Sequence, residues 1–128
     1  MNRVPVEGGG VVIRLPYRPP FDWPLLLGFL GPRAIPGVES VAGDCYRRTI
    51  ALDGRHGIVE VRPRDGALEA MIRFPVAGAL DAITDRLIRQ FDLAADAAAI
   101  DTHLARDPLL APLVAVRPGL RVPGAWEP

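Results

Sequence analysis

The stretch CYRRTIALDGRHGIVEVRPRDGALEAMIRF, residues 45–74, decides the fold. Its apolar residues recur every second position, and Asp53-Gly54 and Asp65-Gly66 interrupt it where tight two-residue hairpin turns need positive backbone φ. A third signal, Gly43-Asp44, precedes it. The spacing predicts an antiparallel meander of four strands near 38–42, 45–52, 57–62 and 67–74. Alternation then assigns faces. Tyr46, Ile50 and Leu52 share one face with Val59 and Val61 and with Leu68, Ala70 and Ile72, which is the core side. Cys45, Arg47 and Thr49 fall on the other, where Arg62 and Arg73 join Arg47 beside Glu60 and Glu69. Opposite charges on neighbouring strands form cross-strand pairs of about 0.2–1 kcal/mol each, so this face reads as solvated and charge-paired, not as a phosphate platform.

Working outward, GALDAITDRLIRQFDL (78–93) places Leu80, Ile83, Leu87, Ile88 and Phe91 on one helical stripe that can cover the sheet. Upstream, FDWPLLLGFLGPRA (21–34) opens a helix: Asp22 can cap the free amides, Pro24 is tolerated in a first turn, and Leu26, Phe29 and Leu30 form the expected buried stripe. VVIRLPY (11–17) reads as a strand ended by prolines. Residues 1–10, closing on Gly8-Gly9-Gly10, read as a flexible arm or linker. Beyond Phe91, a short helix with Ile100 and Leu104 as its apolar positions and a further turn or two form a helical connection over 92–128, extended after Gly119. The fold class is α+β: an antiparallel sheet with helices on one face, its main body at 11–91.

Composition bounds the function. A chain of 128 residues, 49% apolar and 23% charged, suffices for one domain with a real core. Its fifteen basic residues, all arginine, balance fifteen acidic ones, so little counterion release is available to drive nucleic-acid binding. The lone Cys45 excludes an internal disulfide and a thiolate cluster, and as a strand cysteine it reads as a small inert hydrophobe. His56 and His103 lie far apart in sequence without a third metal ligand. The glycines of EGGGVV lack dinucleotide-binding spacing, and AIPGVES (34–40) carries Glu39 where a DNA-gripping hairpin needs a second glycine. No catalytic, metal or cofactor site is expected, nor a small-molecule ligand. With no signal-length or membrane-length apolar run, the expected location is cytoplasmic.

Four segments, LPYRPPFDWPLLLGFLGPRAIPGVE (15–39), YRRTIALDG (46–54), FDLAADAAAI (91–100) and DPLLAPLVAVRPGLRVPGAWEP (107–128), together resemble the bacterial 3-methyladenine DNA glycosylase II family of the helix-hairpin-helix superfamily. The resemblance spans about 11–128. It implies an N-terminal domain whose curved sheet is similar to half of a TATA-box-binding protein, leading into a helical catalytic domain beyond residue 128. That second domain carries the family's helix-hairpin-helix, base pocket and catalytic aspartate, so this stretch itself is no enzyme. The implied partners are the catalytic domain and, through the parent enzyme, double-stranded alkylated DNA; one architecture of such proteins places an adaptive-response regulator in front. A free-standing sheet module that binds DNA or protein is the competing reading. If RVPGAWEP is the joint between domains, Leu120, Val122 and Trp126 are left without their natural pocket, which predicts a mobile tail or an intermolecular contact, with one wet tryptophan.

Overall fold

The computed structural model describes residues 3–6 and 9–126. Strands β1 (Arg3–Val6), β2 (Gly10–Pro16), β3 (Glu39–Ala42), β4 (Cys45–Leu52), β5 (Arg55–Arg64) and β6 (Ala67–Arg73) form one curved antiparallel sheet in the order β1-β2-β6-β5-β4-β3. Helices α1 (Trp23–Arg33) and α2 (Leu80–Gln90) pack on its apolar face, followed by α3 (Ala97–Leu104) and α4 (Ala111–Val116).

The meander forms as its turns dictate. Asp53 and Gly54 have φ of 51° and 76°, Asp65 and Gly66 have 50° and 77°, the two positive values of a turn whose twist matches the flanking strands. These turns set the register Tyr46↔Val61↔Ala70, which lines up the core face. Tyr46, Ile50, Val59, Val61, Leu68, Ala70 and Ile72 are all buried there. From the other side α2 inserts Leu80, Ile83 and Leu87, and Phe91 just beyond it meets Tyr46 and Trp23 edge-on at 5.6 and 5.3 Å between ring centres. Edge-to-face rings add about 0.5–1.5 kcal/mol to what their burial contributes. The Tyr46 hydroxyl donates to Glu39 and accepts from Gln90 at 3.0 Å, and burial, followed by the bond to Glu39, pushes it up to about 12.

Three expectations need correction. Residues 3–6, read as part of a flexible arm, are the edge strand β1, with Val4 opposite Val12 and Pro5 opposite Val11. Of the glycine run, Gly9 is a turn residue with φ 82° and Gly10 opens β2, where an added Cβ would sit 2.9 Å from Val6. Proline is tolerated because an edge strand leaves part of its backbone unpaired. Gly8 lies outside the described residues.

Helix α1 is capped by Asp22, whose carboxylate accepts from Leu25 N at 3.0 Å, but its buried stripe is Trp23, Leu26 and Leu27. Phe29 is 43% exposed, because the stripe starts one turn earlier, at Trp23, whose indole N–H donates to Asp44 O at 2.8 Å. Ile100 and Leu104 are likewise exposed: α3 buries only Ala97.

Candidate functional site

The residues weighed for chemistry stay apart. Cys45 is half-buried at the start of β4, with Arg62 at 3.8 Å from its sulfur; His56 is exposed in β5 and His103 exposed on α3. No group of three or more His, Cys, Asp or Glu among the described residues can hold a metal ion. On the outer sheet face Glu60 lies 3.7 Å from Arg47 and 3.4 Å from Arg62, and Glu69 lies 3.5 Å from Arg64. The face is charge-paired, as its alternation predicts. Among the described residues no helix is long and apolar enough to cross a membrane.

The most elaborated polar structure is instead the extended strap that follows α4. It begins at Arg117, whose guanidinium binds both oxygens of the Asp22 cap at 2.8 and 3.0 Å, giving the α1 N-terminus a two-point ion pair. That bond chiefly, opposed by partial burial, holds the Asp22 carboxyl below the ordinary 3.8. Gly119 receives Asp22 N–H at its carbonyl (3.1 Å) and donates its own N–H to Asp101 (2.9 Å). With φ 83° and Pro20 so close that an added Cβ would lie 2.6 Å from its carbonyl carbon, this position admits only glycine.

Arg121 is the centre of the strap. Only 5% exposed, it donates to the carbonyls of Asp92 (2.7 Å), Ala95 (3.4 Å), Arg18 and Pro20 (3.2 Å). Its guanidinium also lies 4.5 Å from the centre of the Phe21 ring. Burial pulls its pKa below the ordinary arginine value, while Asp92 pulls the other way. Four oxygen dipoles and an aromatic face stabilise the buried cation, with the Asp92 charge nearby adding to them. Further along, Val122 N–H binds the Asp92 carboxylate at 3.2 Å and Gly124 N–H binds Gln90 O at 3.0 Å.

Trp126 is then buried at 3% exposure, its ring flanked by the guanidinium groups of Arg48 and Arg86 at 5.1 and 5.4 Å. The wet tryptophan expected from the Pro/Gly-rich sequence is therefore wrong. Helix α2 and strand β4 supply the pocket, while Leu120 and Val122 point outward. They border an apolar groove of about 590 Å³ against Leu25, Gly28 and Phe29 of α1. Sequence reasoning missed Arg121 entirely; the only available signal was a single charge placed among apolar residues.

Comparison with known proteins identifies this arrangement. The family model of the AlkA N-terminal domain matches residues 12–127. The chain belongs to this family. Among curated relatives, the probable bifunctional transcriptional activator/DNA repair enzyme AlkA of Mycobacterium tuberculosis is 37% identical over 117 residues, covering 91% of this chain and 24% of that protein. DNA-3-methyladenine glycosylase 2 of Escherichia coli is 36% identical over 118 residues, covering 88% of this chain and 39% of its own length. This AlkA N-terminal domain thus spans between a quarter and two-fifths of those relatives. A solved 3-methyladenine DNA-glycosylase from Archaeoglobus fulgidus shares the fold, with a TM-score of 0.67 at 21% identity, over 84% of this chain and 36% of that one. The strap lies within the matched span.

Proposed function

We propose that the chain is the accessory, non-catalytic N-terminal domain of an alkylbase DNA glycosylase acting in base-excision repair. The observation that carries this reading is the match to the AlkA N-terminal domain over residues 12–127.

The parent enzyme hydrolyses the bond between an alkylated base, 3-methyladenine or a relative, and its deoxyribose in duplex DNA. A base inside a duplex must be extruded into a shaped pocket before such chemistry, at a cost of a few kcal/mol, and a positioned carboxylate must answer the positive charge growing on the sugar. Both tasks fall to the helix-hairpin-helix domain that follows. The present domain contributes a rigid foundation: its sheet and α2 hold Trp126, and the strap fixes the point from which the second domain departs. Pocket and carboxylate depend on sub-ångström placement, so a foundation that packs against the catalytic domain and restrains it serves catalysis without touching the substrate. The competing reading, a sheet platform that grips DNA itself, is disfavoured because Arg47, Arg62 and Arg64 are engaged by Glu60 and Glu69.

The test is the full-length parent. Incubated with methylated duplex DNA, it should release 3-methyladenine; a folded parent that releases no alkylated base overturns the reading.

A further inference from the structure

The strap is inside out. Along 119–123 the chain is extended, and burial alternates, but the charged Arg121 points in while Leu120 (59% exposed) and Val122 (79% exposed) point out. A slip of one residue would exchange the two sets, burying both aliphatic side chains and solvating the guanidinium. The observed register is held by the bonds of Gly119, Val122 and Gly124 described above, so these exposures belong to an anchored segment and not to a frayed end.

What Leu120 and Val122 border is the groove on α1. Its floor is bare at Gly28, where an added Cβ would meet nothing within 4 Å, and its wall is Phe29. The charged groups at its rim are largely engaged: Arg121 donates through both terminal nitrogens to four carbonyls, leaving its buried Nε without a partner among the described residues, and Arg33 donates to Phe29 O at 3.0 Å with its guanidinium 3.9 Å from the Phe29 ring centre. A small-molecule site needs a few convergent polar groups to orient its ligand. This groove offers apolar surface and a glycine gap, which suit an apolar element of protein. Helix α4, tied to the α1 N-terminus through Arg117 and Asp22, adds the exposed Leu113 and Val116.

We infer that the groove between α1 and residues 120–123 is the docking surface for the remainder of the parent chain, which seats an apolar element over Gly28 against Phe29, Leu120 and Val122. This rests on the reading that the chain is one domain of a longer glycosylase. The occupant follows from the relatives, since the matched region is their N-terminal domain and covers only 24% and 39% of their lengths, and from the strap, whose residues 120–123 form one side of the groove.

Hydrogen exchange of residues 24–33 and 120–123 is measured in the 128-residue chain and in the full-length parent, with Gly28→Gln and Val122→Asp made in both. In the wild-type parent, exchange at these residues should slow at least tenfold relative to the chain alone. Gly28→Gln fills open space with a better helix former, so it should leave the thermal midpoint of the chain alone unchanged or raised, yet restore fast exchange in the parent. Val122→Asp should do likewise. Equal exchange in chain and parent overturns the inference, as does a parent indifferent to both substitutions. A chain that self-associates through this groove, and whose dimer Val122→Asp dissolves, also overturns it by naming a second copy as occupant. Base release by the same parent separates the outcomes: an active glycosylase with an open groove refutes the docking surface alone, whereas an inactive folded parent refutes the functional reading.

Discussion

The guanidinium of Arg121 lies 4.5 Å from the ring centre of Phe21, a hundred residues earlier in the chain. From that position it donates to carbonyls in the β2–α1 loop and in the α2–α3 loop, joining two segments that the exposed Arg18–Asp96 ion pair at 3.6 Å also bridges. Replacing it by methionine keeps the bulk but strands buried carbonyls, so Arg121→Met should cost about 2–4 kcal/mol in urea unfolding. Arg121→Lys should recover less than half, because an ammonium cannot span acceptors arranged for a planar fork. A loss below about 0.5 kcal/mol, the usual range for surface substitutions, would show that the strap does not depend on this residue.

Acid should loosen the attachment of the strap to α1. Arg117 holds the Asp22 carboxyl below 3.8 in the folded state, so this group contributes stability that is complete above the unfolded value and is lost as pH falls through the folded one. Asp22→Ala should cost about 1–2 kcal/mol near neutrality, through the lost cap and ion pair, and the gap to the wild type should narrow below about pH 4. Thermal midpoints measured from pH 7 to pH 3 check this; a gap that is constant across the range contradicts it.

Gly119 combines two demands, and a control separates them. Gly119→Ala should pay for a positive φ, about 1–3 kcal/mol, and for crowding against Pro20 as well. Gly37→Ala, at φ 81° with open space around it, should pay only the first. Trypsin should then cut Gly119→Ala after Arg121 well before it cuts the sheet, while the wild-type strap resists as long as the core. Equal losses from the two substitutions would contradict the crowding.

Both tryptophans are buried, Trp23 at 4% and Trp126 at 3%. Intrinsic emission should therefore be blue-shifted and resist acrylamide, and Trp126→Ala should cost about 3–5 kcal/mol. A red-shifted, readily quenched component that disappears in Trp126→Ala would restore the mobile tail.

The meander and α2 were legible because their determinants are local. Asp53-Gly54 and Asp65-Gly66 specify positive φ within the turn itself, and alternation from Tyr46 to Ile72 needs no knowledge of the partner helix. The strap was illegible for the opposite reason. Arg121 is satisfied by main-chain carbonyls, which every residue type carries, so nothing at positions 18, 20, 92 or 95 marks them as its partners. The burial of Trp126 is hidden because Pro118 and Pro123 signal extended chain, and extended chain carries no local mark of the pocket that α2 and β4 supply. Helical spacing alone points Phe29 to the core, but the same spacing permits a stripe one turn earlier, which Trp23 occupies.

The central claim is that this domain supports glycosylase chemistry without performing it. Its most direct test is release of 3-methyladenine from methylated duplex DNA by the purified 128-residue chain, free of host glycosylase. The predicted result is release no faster than in the absence of protein. Release well above that rate would place a base pocket and a positioned carboxylate within these 128 residues and contradict the account.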